Sequence, residues 1–265
     1  MDVSISVLMR DIEMKTIPEE DITIKEIIEP TAMVLRNGLT LKSFPGAVCL
    51  YKGCLYVGCE DGSIAKWETD GHVHYSFIKL DSWICGIVAH EEKLYSLMYK
   101  DGGSYKVYVH DLTGKKLFGW AHQEKGACSR RVLAVMGDQL LIAGRKAKKF
   151  SFYTLTGEHV RDVVFDAIKD DLLSLCFLDE NSILVANQHS MYRLDINTPK
   201  IVWCSDNVKD PVGVCKLNDD FSIVTTNYSD VMAVWTLNHN TGERRFFLAN
   251  LFQSYLIFEL KMKGS

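Results

Sequence analysis

An all-β fold built from repeated units is predicted by three features of this 265-residue sequence. A Gly-containing turn recurs every 43 residues, ending at Gly71, Gly114 and Gly157. Short stretches of alternating polarity stand before each turn, separated by Gly, Asp and Asn. Each period holds four such stretches, and four short antiparallel strands in about 40 residues are typical of one blade of a β-propeller.

The repeated units follow one order of strand, tight turn, strand, polar loop and strand. The first unit reads AVCLY, KG, CLYVGC, EDG and SIAKWE, and the later units begin at ICGIVA, RVLAVM, LLSLCF and VGVCK. Each continues into a fourth, less regular strand such as HVHYSFI or KKLFGWA. Five units thus cover residues 44–250, and we expect each to form a four-stranded antiparallel blade joined by hairpins.

The two ends of the chain are expected to complete the ring. Residues 1–43 contain several strand-like stretches with a hairpin signal at Asn37-Gly38, and residues 251–265 contain YLIFELKM. If these ends pair in a sixth blade, no sheet edge is left open. We therefore interpret residues 1–265 as a single domain of six blades, with five or seven as alternatives. Residues 17–31 fit either an extended strand or a short acidic helix.

Composition excludes several classes of protein. Lys and Arg number 30 against 34 Asp and Glu, so the net charge of −4 gives no general basic field for duplex binding. Asp2, Arg10 and Asp11 interrupt the apolar stretch that a secretory peptide needs, and no run of about 18 apolar residues occurs. We expect a cytoplasmic or nuclear protein with no membrane partner.

The eight cysteines are interpreted as reduced, mostly buried side chains. Cys49, Cys176 and Cys215 stand four residues before the first turn of their units, where two other units carry Val88 and Leu133. Cysteine in that series behaves as a small hydrophobic residue.

No metal site, cofactor or catalytic group is predicted. A zinc site from Cys54, Cys59, His72 and His74 lacks the close pair of cysteines typical of structural zinc sites. The sequence contains no G-x-S-x-G, H-E-x-x-H, Walker-type or G-x-G-x-x-G motif. We expect the protein not to be an enzyme and to bind no small-molecule substrate. A catalytic site in the central channel is kept as a third alternative.

The third strands resemble those of the WD-repeat family. DGSIAKW (Asp61–Trp67) is similar to the family's Asp-Gly turn and alternating strand, and SDVMAVWTL (Ser229–Leu237) is a weaker match. Glu68 stands where the family has Asp, and the family's Gly-His pair is missing, so an unrelated quinoprotein-like or kelch-like propeller is the alternative. The resemblance implies a scaffold or substrate receptor in a larger assembly, such as a ubiquitin-ligase or RNA-processing complex. Without the family's His and Asp, stability is expected to depend on apolar packing.

A basic patch is predicted on one face of the propeller, at the third unit. Arg130 and Arg131 precede its first strand, and the loop between its second and third strands carries Arg145, Lys146, Lys148 and Lys149. Antiparallel order sends both connections to the same end of the blade. The matching loops of other units are acidic or neutral: Glu60-Asp61-Gly62, Asp81-Ser82-Trp83, Lys100-Asp101-Gly102, Asp170-Asp171 and Ser229-Asp230.

Aromatic side chains add to this predicted binding face. Phe44, Trp83 and Tyr228 fall in connections at the same end, and exposed aromatic residues are enriched at protein interfaces. Other aromatic residues lie in third strands, where packing in the core or between blades is expected: Trp67, Trp235, Tyr153 and Tyr192.

These features favour a non-enzymatic scaffold or adaptor that binds an acidic or phosphorylated segment of a protein partner. RNA or single-stranded nucleic-acid binding through the same basic patch is the alternative. A third interpretation is that the charged loop is ordinary solvated surface.

Overall fold

The computed structural model confirms an all-β propeller of four-stranded antiparallel blades. The residues that it describes are 3–6, 38–41, 43–68, 73–100, 104–122, 131–144, 149–168, 171–206, 208, 211–228 and 231–251. In each blade the strands lie side by side in chain order. The first strands of successive blades are neighbours, so those strands form the inner side of the arrangement.

The strands of the five blades agree with the repeated units of the sequence. The first and second blades contain β3 (Pro45–Tyr51), β4 (Cys54–Cys59), β5 (Ser63–Trp67), β6 (Val73–Lys79), β7 (Ile84–His90), β8 (Lys93–Lys100), β9 (Ser104–Asp111) and β10 (Lys116–His122). The third and fourth contain β11 (Arg131–Met136), β12 (Gln139–Gly144), β13 (Lys149–Thr154), β14 (His159–Val164), β15 (Leu172–Phe177), β16 (Ser182–Asn187), β17 (Met191–Asp195) and β18 (Lys200–Ser205). The fifth contains β19 (Pro211–Lys216), β20 (Phe221–Tyr228), β21 (Val231–Asn238) and β22 (Arg244–Leu251).

The described residues form five blades rather than the six predicted, and they show no closure of the ring by the chain ends. Two N-terminal strands, β1 (Val3–Ser6) and β2 (Gly38–Leu41), pair with each other in a separate two-stranded sheet. Gly38 is a strand residue opposite Ser6 and is therefore not the tip of the hairpin that the sequence indicated. Residues 17–31 and 252–265 lie outside the described residues, so pairing of the two chain ends stays a prediction.

The recurring turn joins the third and fourth strands of a blade. Gly114 and Gly157 have φ angles of +89° and +97°, which L side chains rarely adopt, so the turn depends on glycine. Each glycine lies against an aromatic ring from the fourth strand of the preceding blade, Phe77 for Gly114 and Trp120 for Gly157. The glycine that recurs every 43 residues therefore also lies at a contact between neighbouring blades.

One apolar position recurs between the blades and carries much of their packing. The third residue of the second strand faces the next blade and is at most 1% exposed in four blades, as Tyr56, Tyr95, Leu141 and Leu184. Burying a side chain of this size contributes about 1.5–3 kcal/mol. Trp67, Tyr153 and Tyr192 are also buried, and Trp235 packs against the cluster between the fourth and fifth blades, which confirms their predicted packing role.

The described cysteines agree with the interpretation as thiols. Cys49 and Cys215 are buried like Val88 and Leu133 in the equivalent position, whereas Cys176 is half-buried. Among the described residues, no helix has the length and apolar character required to cross a lipid bilayer.

Candidate binding surface at the upper end of the blades

We call the upper end of the blades the end where the chain passes from a fourth strand to the next first strand. The second and third strands of each blade are also connected there, and the opposite end is the lower end. In the first blade, the Glu60 backbone N–H donates to the Phe44 carbonyl oxygen over 2.9 Å, and in the second the Tyr99 N–H donates to the Trp83 carbonyl over 2.9 Å. These bonds join the two kinds of connection at the upper end of the first two blades.

In the third blade, two of the predicted basic residues, Arg131 and Lys149, lie at the upper end. Arg131 is the first residue of β11 and pairs with Gly144, the last residue of β12, while Lys149 is the first residue of β13. The backbone register therefore places Arg131 and Lys149 at the same end of the blade. Arg130, Arg145, Lys146 and Lys148 lie outside the described residues, and nothing is described of the Arg131 side chain.

Lys149 differs from its predicted place in the loop. Its ammonium group lies 3.3 Å from the Asp162 carboxylate on β14. Asp162 also accepts a hydrogen bond from His159. Burial raises the carboxyl pKa of Asp162, but the bonds to these side chains outweigh burial and hold the pKa below its ordinary value. Lys149 is thus bound to its own blade and is less available to a ligand than the loop residues.

The three aromatic residues differ in exposure. Phe44 is 54% exposed, in agreement with a role in binding. Trp83 is half-buried and not fully exposed. Its indole packs over Gly46 of the neighbouring blade and edge-on to Tyr99, at 6.2 Å between ring centroids. It supports the interface between the first two blades as well as the upper surface. Tyr228 ends β20, and its side chain is not among those described.

The predicted acidic surroundings are partly neutralised. Asp61 accepts bonds from the Ser63 amide and hydroxyl and lies 2.9 Å from the Lys79 ammonium group. Burial acts in the opposite direction, but these bonds keep the carboxyl pKa of Asp61 below its ordinary value. Lys100 similarly lies 3.7 Å from Asp81. The charge contrast around the upper end is therefore smaller than the loop sequences indicated.

Sequence reasoning missed the acidity of the lower end. The hairpins between first and second strands carry exposed carboxylates, namely Glu91, Glu92, Asp138, Asp179, Glu180, Asp219 and Asp220. These turns occupy the same place in every unit of the repeat, so the signal was present in the sequence. Nearby cations include Lys52 beside Glu92, and Lys216, which lies 2.9 Å from Asp219. Within the described residues, no group of three or more His, Cys, Asp or Glu side chains converges on a point where a metal ion would fit.

A buried histidine near the lower end predicts loss of stability in acid. His239 is 3% exposed, with Nδ1 3.0 Å from the Asp219 carbonyl oxygen and Nε2 2.7 Å from the Ser222 hydroxyl. Burial holds the pKa of this imidazole below its ordinary value of 6.5, although the bond to Asp219 opposes the shift. The unfolded chain therefore takes up a proton first as the pH falls below 6.5, and the folded state loses stability from there downwards.

Thermal unfolding measured between about pH 7.5 and pH 5 tests this expectation. We expect the midpoint to fall with pH, and His239→Gln to weaken that dependence while lowering stability at neutral pH. His74→Gln supplies the matched control, because it replaces a histidine whose side chain is 55% exposed. An equal pH dependence in all three proteins would show that His239 is not the responsible group.

Solved WD40 propellers share this fold. The Neurospora crassa Pan2 WD40 domain matches with a TM-score of 0.58 and 12% identity over 77% of this chain and 65% of that one. The Doa1 WD40 propeller matches with 0.57 and 12% over 81% and 71%, and a chain of the mitotic checkpoint complex with 0.59 and 14% over 78% and 65%. The chain thus spans less than two thirds of the length of the Pan2 domain. No family model matches the sequence, and no curated protein does. At these identities the likeness shows the fold, a β-propeller like that of WD40 domains, in agreement with the resemblance found in the third strands.

Proposed function

We propose that this divergent WD40-type propeller is a non-enzymatic scaffold that binds an acidic or phosphorylated segment of a partner protein at its upper end. The observation that carries the proposal is the register of the third blade, in which Arg131 stands opposite Gly144. Four further basic residues, Arg130, Arg145, Lys146 and Lys148, adjoin this pair along the chain. Guanidinium and ammonium groups bind carboxylates and phosphates through charge-assisted hydrogen bonds.

Phe44 supports a protein ligand. It is the most exposed large hydrophobic side chain among the described residues, at 54%, and it lies at the upper end of the first blade. A segment that crosses from the third blade towards the first would meet a charged and an apolar contact. Interfaces of this kind combine an aromatic anchor with a charged rim.

RNA binding is the second candidate, supported by the same basic residues, with Phe44, Trp83 or Tyr228 as stacking surfaces. The half-buried state of Trp83 leaves less of its ring for a base than the sequence indicated. The net charge of −4 also opposes long-range attraction of a nucleic acid. A protein segment therefore fits the described residues better.

A four-residue charge reversal tests the proposal. We expect Arg130, Arg145, Lys146 and Lys148→Glu to weaken binding of a peptide rich in phosphoserine and glutamate at least about tenfold, because each charged hydrogen bond contributes about 1.5–3 kcal/mol. Arg131 and Lys149 are left unchanged, because both begin strands of the blade. Fluorescence anisotropy with the phosphorylated peptide, its unphosphorylated form and a single-stranded oligoribonucleotide separates the candidates.

The matched control reverses four exposed lysines elsewhere, Lys52, Lys115, Lys116 and Lys200. Equal loss of binding in both variants would mean that net charge alone acts, and unchanged binding in both would remove the upper-end site. Loss of the oligoribonucleotide alone, with a steep dependence on salt concentration, would favour the RNA interpretation.

A further inference from the structure

The face of the fifth blade that points away from the fourth is incompletely covered. In the first four blades, the third residue of the second strand is buried against the next blade, as are its neighbours on the third strand: Ile64, Val107, Phe150 and Met191. In the fifth blade, the equivalent residues are Ile223 and Val234, and both are only half-buried. Phe221, the first residue of the second strand, is also half-buried on this face.

The exposure of Ile223 results from its position in the last described blade and not from a polar side chain. Ile223 corresponds to Tyr56, Tyr95, Leu141 and Leu184, which are all apolar and at most 1% exposed. An isoleucine at that position stabilises the fold by burial only when another strand covers its side chain. The sequence of the fifth blade is therefore that of a blade with a further neighbour.

We propose that the segment Leu256–Met262 of this chain covers that face as the inner strand of a further blade. The connections from a fourth strand to the next first strand span residues 80–83, 123–130, 165–171 and 206–210, which is four to eight residues. The last strand of the fifth blade, β22, ends at Leu251 opposite Met232, at the upper end where the other connections begin. A connection of the same length places the start of the next strand at residues 256–260, within YLIFELKM.

The alternation of this segment fits a strand with one covered side. Leu256, Phe258, Leu260 and Met262 fall on one side of an extended strand, and Tyr255, Ile257, Glu259 and Lys261 fall on the other. An outermost layer of a sheet stack shows this pattern of one apolar and one mixed side. We assign Phe258 and Leu260 to the contact with Ile223 and Val234.

Thiol labelling of the full-length chain tests the assignment. Ile223→Cys places a thiol on the face, and its reaction with a maleimide is followed by peptide mass spectrometry. The exposed Cys204 reports fast labelling and the buried Cys215 reports the intact blade. We expect residue 223 to react at least about tenfold more slowly than Cys204, and to approach the rate of Cys204 when Phe258 and Leu260 are changed to Asp.

Lys261→Asp is the matched control, because this residue lies on the other side of the proposed strand. It should leave residue 223 slow, while slow labelling of Cys215 in every variant shows that the blade stays folded. Fast labelling of residue 223 in the otherwise unchanged chain would overturn the proposal. So would slow labelling that Phe258→Asp and Leu260→Asp do not affect. Protection that disappears on dilution would replace it with a contact between two copies of the chain.

Discussion

Gly157→Ala should lower the free energy of unfolding by about 3 kcal/mol. Two costs add at this position. The φ angle of +97° is unfavourable for any residue with a Cβ atom, and the added Cβ would lie 2.5 Å from the indole of Trp120. Because Trp120 belongs to the preceding blade and Gly157 to the third, the clash would force two blades apart.

Gly137→Ala separates the two costs. Gly137 also has a positive φ angle, +55°, but an added Cβ would meet no atom within 4 Å. We expect a loss of only about 1 kcal/mol there, from backbone conformation alone. Urea denaturation of the three proteins gives both values. Equal losses in the two variants would show that Trp120 does not pack on the turn in solution.

The same turn explains why much of the fold was predictable from sequence. Glycine was needed at Gly114 and Gly157 for a backbone conformation, and this requirement leaves a periodic mark in the sequence. The strands between these glycines could be predicted because their apolar and polar residues alternate along the chain. Local requirements of this kind predicted the strands of all five blades.

The number of blades was not predictable in the same way. The chain ends carry no copy of the turn, so their role had to be inferred from strand-like stretches alone. The stretch around Gly38 had a hairpin signal, yet Gly38 pairs with Ser6, more than thirty residues earlier. Pairing over such a distance depends on tertiary contacts that local sequence does not encode.

The candidate site was predictable to the level of the backbone but not of individual side chains. Antiparallel order was sufficient to bring Arg131 to the end of the blade where β12 meets β13. The half-buried position of the Trp83 indole could not be predicted in this way, because the indole packs on Gly46 in a different blade. The sequence placed Asp61 in an acidic loop, but its ion-pair partner Lys79 lies on the fourth strand and could not be inferred from that loop.

Phe150→Ala should cost about 3–5 kcal/mol, the second large effect that we expect. The ring is 0% exposed, and it meets Phe165 edge-on at 5.3 Å between centroids. It belongs to the cluster that joins the third blade to the fourth through Leu172 and Leu175. Removing it would leave a cavity between two blades, and a propeller blade is stable only against its neighbours.

Phe44→Ala is the control with the same side chain removed. Phe44 is 54% exposed, so its loss should change the free energy of unfolding by no more than about 0.5 kcal/mol. Urea denaturation followed by tryptophan fluorescence compares the two variants. A large loss from Phe44→Ala would mean that this ring is covered in solution and is not part of an open binding surface. A small loss together with weaker binding of the acidic peptide would instead place Phe44 among the contacts with the partner.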